Sequence, residues 1–183
     1  MSWITTDAGW RITQGIIART LRRDADFIIG GREQPYMLRW WLTPWSGGHL
    51  TPREKQTRWQ RIGAWLPLPH VYLHWILRSD DDRALHDHPW CNASILLRGS
   101  YIERTIAAGG IHVRTVRNAG NIVFRRANAA HRLEIDQGAC WSLFITGPKT
   151  RDWGFHCPER GWVPWREFTA TDDAGAVGKG CEA

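Results

Sequence analysis

The sequence predicts an all-β sandwich or barrel with helical additions at its N-terminal side. Three observations carry this. Strand-like segments crowd one stretch of the chain, from Val71 to Thr146. They are short, rich in β-branched or aromatic residues, and separated by Gly, Asn or Asp, as antiparallel β-proteins are. Helical periodicity is confined to the first third. The 183 residues suit one domain with a single sizeable core.

Thr6 to Arg23 reads as a helix, with Ile12, Ile16 and Thr20 on one face and Trp10, Ile17 and Leu21 beside them. Arg19, Arg22 and Arg23 fall in its last turn, where cations suit the helix dipole. Met37 to Leu42 is a short apolar stretch read as an edge strand, and Ser46-Gly47-Gly48 marks a loop. Thr51-Pro52-Arg53-Glu54 carries a helix-start signature, giving a second helix that runs to Ile62 and stops at Gly63. Trp59 and Ile62 form a thin apolar face, so this helix is expected on the outside.

Seven strands are then expected, at Val71–Arg78, Cys91–Arg98, Tyr101–Ile106, His112–Val116, Asn121–Arg126, His131–Ile135 and Cys140–Thr146, with a tight hairpin at Gly99-Ser100. Trp153, Phe155, Trp162, Trp165 and Phe168 are expected to cover one side aromatically, and residues 169–183 to form a flexible tail. The resulting division is 1–68 as additions packed on a barrel at 69–168, then the tail.

Composition narrows the function classes. A net charge of +6 comes almost wholly from arginines dispersed along the chain, without a basic run or nucleic-acid motif, so nucleic-acid binding is not expected. No stretch approaches the roughly 18 apolar residues that would cross a bilayer, and Met1 to Trp10 does not resemble a signal peptide. A cytoplasmic protein with no membrane partner is the expectation. Cys91, Cys140, Cys157 and Cys181 show no CxxC pair and are expected as free thiols. The thirteen tryptophans are expected to fill the core or cover its ends.

The chemistry-bearing pattern is His86-Asp87-His88 answered by His131 downstream. Histidines at i and i+2 of an extended strand share a face, and one from a neighbouring strand closes a three-imidazole surface around one metal ion. Alternation turns Asp87 away from that surface, toward a structural role with Arg83. The spacing His86, His88, Asn92, Gly99, followed by Gly120, Arg126, Asn128 and His131, resembles the two motifs of the cupin superfamily over Val71 to Phe155.

That resemblance implies a cupin jelly-roll β-barrel, with His86, His88 and His131 holding a divalent metal inside it. Asn92 stands where cupins usually place a glutamate ligand, and is assigned a hydrogen-bonding role around the ligands. Arg126 and Asn128 depart from the turn residues of the second motif. A three-histidine site without the glutamate is similar to that of cysteine dioxygenase-type cupins, which implies Fe(II), with Zn or Ni as alternatives, since imidazole suits all three. Three protein ligands leave coordination positions open, the mark of a catalytic site. The LHDHPW and RDWGFH stretches also resemble a group of small bacterial and phage proteins of unassigned activity.

The function expected from these residues is a metal-binding cupin, in its sharper form a mononuclear non-haem iron dioxygenase acting on a small anionic substrate. Arg98, Arg126 and Arg78 are the candidate partners for a substrate carboxylate, with His74 and His156 at the pocket margin. Arg98 draws attention by strand parity with Asn92, Ser94 and Leu96. The alternative is a non-catalytic cupin binding a small molecule or sugar as a sensor or storage module. A cupin isomerase would need a paired catalytic acid and base, which the sequence does not display. Cupins often form dimers by strand exchange, so a homodimer is compatible with the resemblance.

Overall fold

The computed structural model describes residues 6–31, 33–80, 84–171 and 176–182. Chain order is α1 (Asp7–Thr20), β1 (Phe27–Ile29), β2 (Met37–Trp41), α2 (Arg58–Trp65), β3 (His70–Ile76), β4 (Leu85–His86), β5 (Asn92–Arg98), β6 (Ser100–Ile106), β7 (His112–Asn118), β8 (Ile122–Arg125), β9 (His131–Glu134), β10 (Cys140–Thr146), β11 (Gly154–Cys157), β12 (Gly161–Pro164) and α3 (Trp165–Phe168). The strands form two six-stranded sheets, ordered β1-β2-β3-β10-β5-β8 and β12-β11-β4-β9-β6-β7.

Those orders contain a jelly roll. Strands β3 to β10 pair antiparallel as first with last and then inward: β3 with β10, β4 with β9, β5 with β8, β6 with β7. This is one long hairpin rolled so that its successive pairs fall alternately in two facing sheets. The N-terminal segment extends the first sheet through β2, whose Met37–Trp41 run pairs Ile76–Tyr72 of β3. Met37–Trp41 is therefore an inner strand, with β1 as the edge outside it. On the other sheet, the aromatic segment after Gly147-Pro148 is a β11–β12 hairpin attached through Phe155 opposite His86.

Gly99-Ser100 is not a hairpin. Strands β5 and β6 lie in different sheets, and Gly99, at φ +80°, sits at the corner between them. A Cβ there would meet the Ala139 carbonyl oxygen at 2.8 Å, so both the left-handed backbone and the close approach require glycine.

The helices also differ in detail from the periodicity. Thr6 caps α1 by accepting from the Gly9 N–H, but the buried face is Thr13, Ile17 and Thr20, while Trp10, Ile12 and Leu21 are exposed. Small residues against the sheet let the helix approach closely, and Ile17 joins Trp40, Leu73, Leu97 and Trp141 on the outer face of the first sheet. The second helix begins at Thr57 rather than Thr51. Thr57 and Gln60 form a reciprocal capping box, and Arg53–Lys55 is only a 3₁₀ turn. Gly63 does not stop α2, because it is the point where the helix presses on Trp45; a Cβ would sit 2.5 Å from that side chain.

Between the sheets, the interior changes character along the barrel. One end is an apolar plug of Met37, Ile76, Leu96, Tyr101, Leu133 and Cys140. Toward the other end the inward positions become His74 and Tyr72 on β3, Ser142 and Phe144 on β10, and Ser94 and Asn92 on β5. The functional residues gather at this polar end.

The expectation of free thiols fails for two cysteines. Cys157 of β11 forms a disulfide with Cys181 near the C-terminus. Their 24-residue separation hides the pair from a CxxC search; it forms because the Gly178 and Gly180 N–H groups return to the Phe168 carbonyl and bring the chain back over α3. The described part of the expected tail is thus anchored. Cys91 and Cys140 are free, and burial pushes the Cys140 thiol up to about 12. No helix among the described residues is long and apolar enough to cross a membrane.

Candidate metal centre

Sheet register brings the three histidines together. His86, at the end of β4, lies directly opposite His131, at the start of β9. His88 follows two residues later, its backbone N–H held by the Ala127 carbonyl at 3.0 Å. The potential ligand atoms of the three rings all lie within 4.8 Å of one another, and the Nε2 atoms of His88 and His131 are 3.0 Å apart. Two donors about 2.1 Å from one ion and at right angles to each other would also be about 3.0 Å apart.

The rings are electronically suited to be ligands. Burial lowers the pKa of His86 despite the opposing charges of Asp80 and Asp87. Burial, with the neighbouring His131 and His86, holds His88 well below the ordinary histidine value. Burial lowers His131 to about 4, the Glu103 hydrogen bond offsetting only part of it. Neutral imidazoles at physiological pH each keep one lone pair for a cation.

Glu103 decides which lone pair His131 offers. Its Oε1 lies 3.2 Å from His131 Nδ1, and a carboxylate only accepts, so the proton sits on Nδ1 and Nε2 is the free donor atom. Burial alone would raise the Glu103 carboxyl. The His131 hydrogen bond and the Arg125 guanidinium outweigh it and hold Glu103 ionised, well below the usual carboxylate range. Arg125 Nε donates to Glu103 Oε1 at 2.6 Å, Nη1 donates to Ser94 Oγ at 3.0 Å and Asn92 Oδ1 at 3.4 Å, and Nη2 donates to Tyr101 Oη at 3.1 Å. Arg117 Nε completes the carboxylate's shell at 2.8 Å. Asn92 therefore lies outside the three-imidazole cluster, held by Arg125, with its buried Nδ2 lacking a hydrogen-bond partner among the described residues.

Asp87 faces away from the imidazoles and organises the loop that carries them. It is 1% exposed. It accepts from the Gly154 N–H at 2.9 Å and Trp162 Nε1 at 3.0 Å, contacts His156 Nε2 at 3.2 Å, and pairs with Arg151 at 2.6 Å. Arg83, its expected partner, lies outside the described residues. Asp87→Ala is expected to cost about 3 kcal/mol, since it strands a buried indole N–H, a backbone N–H and an arginine. His156→Ala should cost much less because that ring is half-exposed. Urea midpoints of the two variants measure the difference.

The arginines singled out from the sequence lie elsewhere. A register shift between Trp141 and Ser142 inserts Leu97 as an extra residue in β5, so Arg98 pairs with the outward-facing Trp141 and is exposed. The bulge resets the parity that placed Arg98 with Asn92, Ser94 and Leu96. Arg126 is exposed, one residue past the inward Arg125. Arg78 donates to the Gln34 carbonyl from Nε and Nη2 at 3.1 and 2.9 Å, tying down the β1–β2 connection. His156 is engaged with Asp87, whereas His74 is buried in the barrel and stacks on Phe144 at 4.9 Å.

Sequence reading missed Glu103 and Arg125. A charged residue two positions from buried Tyr101 on β6, and another two from Val123 on β8, were the signals that charge enters the interior.

No family model and no curated protein matches the chain. Similar solved structures include Lactobacillus farciminis oxalate decarboxylase in its formate complex, at 17% identity and TM-score 0.38, covering 44% of this chain and 24% of that one. The Fe(II) form of HppE has 11% identity and TM-score 0.44, covering 66% and 55%. The DMSP lyase DddQ from Ruegeria pomeroyi DSS-3 has 16% identity and TM-score 0.36, covering 45% and 39%. Each match spans less than two thirds of the other chain. The pairing of β3 to β10 bears out the expected jelly-roll barrel on this chain's own topology, and His86, His88 and His131 converge within it.

Proposed function

We propose that this cupin is an oxygenase-type enzyme that holds one Fe(II) ion with His86, His88 and His131 and acts on a small anionic substrate. The observation that carries the reading is the three converging neutral imidazoles, whose ligand atoms lie within 4.8 Å of one another, with the Nε2 atoms of His88 and His131 3.0 Å apart and His131 fixed in tautomer by Glu103. Bound there, a divalent ion would supply Lewis acidity and, as iron, a site for dioxygen next to the substrate.

The chain's own residues do the rest. Three neutral ligands leave the charge of a divalent ion uncompensated, which favours an anionic substrate. Glu103, Arg125 and Asn92 keep the imidazoles aimed, and no carboxylate joins their cluster among the described residues. Trp90 and Phe144 pack on His88, with ring centroids 4.9 and 5.9 Å away, and exclude water from that side. The proposal is tested by oxygen uptake with iron-loaded protein across thiols, diketones and 2-oxo acids. Substrate-dependent uptake absent in His88→Ala supports it, and no uptake with any substrate contradicts it. The alternative of a ligand-binding module draws support from the departures at Arg126 and Asn128.

A further inference from the structure

The interior holds a second cation that the metal centre does not use. Arg39, on β2, pairs in register with His74 of β3, on the inward face that Met37 shares with Ile76. Its Nε donates to His74 Nε2 at 2.9 Å, and its guanidinium lies 5.1 Å from the centroid of the Tyr72 ring. Both contacts fix the group without neutralising it. His74 is 4% exposed, and burial and the adjacent Arg39 charge hold its pKa well below the ordinary histidine value, so it accepts as a neutral ring. Among the described residues Arg39 forms no ion pair with a carboxylate, unlike Arg125 and Arg117, which share Glu103. Its terminal nitrogens make no hydrogen bond to a described residue.

An arginine braced through Nε and one face presents its two terminal nitrogens as a fork, the geometry that binds a planar oxyanion through two parallel hydrogen bonds. Leaving such a charge partly desolvated and unpaired is costly, and an arriving anion would remove that cost. Position relates it to the histidines. His74 stacks on Phe144, Phe144 packs on His88, and the Arg39 charge is among those acting on His88.

We infer that Arg39 is the anchor for a substrate carboxylate, with Phe144 along the wall between it and the three histidines. The substrate is then bifunctional: a carboxylate at one end takes the Arg39 fork, and a second donor group at the other end faces His86, His88 and His131. The second half of this assignment rests on the proposed metal centre, and the carboxylate anchor does not.

Ligand-observed NMR titration with propionate tests the anchor in wild type before and after chelation, Arg39→Met and Arg39→Lys, with propionamide and inorganic phosphate as comparison probes. Saturable propionate binding is expected in wild type and, within about twofold, in the same protein after chelation. Arg39→Met should weaken it at least tenfold, Arg39→Lys should fall between because it keeps the charge and loses the fork, and propionamide should not bind. Arg39→Met should lower the melting temperature only slightly, since the lost contacts are those to His74 and Tyr72 and no carboxylate counter-ion is stranded among the described residues. Equal affinity in Arg39→Met, no binding in wild type, loss of binding on chelation, or a large drop in melting temperature of Arg39→Met would each overturn the anchor. Phosphate binding without propionate binding would overturn the carboxylate class. Absence of metal even after anaerobic reconstitution with Fe(II), with propionate binding intact, would remove the metal reading alone.

Discussion

Glu103→Leu is expected to destabilise the protein by about 3–5 kcal/mol, the largest effect of any single side-chain change discussed for this chain. Glu103 is 2% exposed and takes charge-assisted hydrogen bonds from Arg125 and Arg117 besides that from His131. Leucine matches its volume and removes every acceptor, leaving the buried Arg125, itself 5% exposed, with only neutral partners. For a chain of this size such a loss lowers the melting temperature by about 10 °C. The double variant Glu103→Leu/Arg125→Met removes both charges and should recover part of the loss, because the penalty comes from the stranded partner more than from the missing attraction. Metal affinity should fall about 10–100-fold in Glu103→Leu, since His131 would lose the acceptor that fixes its tautomer. A melting temperature equal to wild type would contradict the assignment of Glu103 as the internal counter-ion.

Metal-free protein is expected to lose stability steadily as pH falls from about 6.5 toward about 4. His74, His86, His88 and His131 are all held below the ordinary histidine value, with burial as the largest cause in each. A histidine with a depressed folded-state pKa binds fewer protons folded than unfolded, so stability rises with pH between the two values. Its contribution is complete above the unfolded value and is lost as pH drops toward the folded one. For His131 the window runs from 6.5 down to about 4 and corresponds to on the order of 3 kcal/mol. Glu103, depressed among carboxyls, adds loss of the same sign only below the ordinary carboxylate range. Urea midpoints measured every half pH unit after chelation read this slope. A flat profile from pH 4.5 to 7 would mean that the imidazoles are not buried as neutral rings.

The sequence made the strand-rich half legible because alternation there is strong: Cys140–Thr146 appears with the expected ends, and the other six expected strands differ by no more than two residues at any end. Strands β1, β4, β11 and β12 escaped notice because two to four residues cannot display a period, and β4 carries His86. The His86–His88 pair could be read from its spacing, since i, i+2 geometry survives any register, and His131 from the resemblance to the second cupin motif. The arginines could not. A single bulge turned Arg98 outward, and Arg125, rather than its neighbour Arg126, occupies the inner face. Arg39 lay in a segment assigned to an edge, and its inward direction follows only from pairing with β3. The disulfide depended on the path of the C-terminal segment back over Phe168, which no local pattern encodes.

The central claim is that His86, His88 and His131 together hold one metal ion, and elemental analysis of untagged protein beside His88→Ala tests it most directly. The account predicts near-stoichiometric divalent metal in the wild type, and a variant that folds to the same circular dichroism spectrum but carries none. Wild-type protein that stays metal-free after anaerobic reconstitution with Fe(II), or a His88→Ala variant that retains its metal, would contradict it.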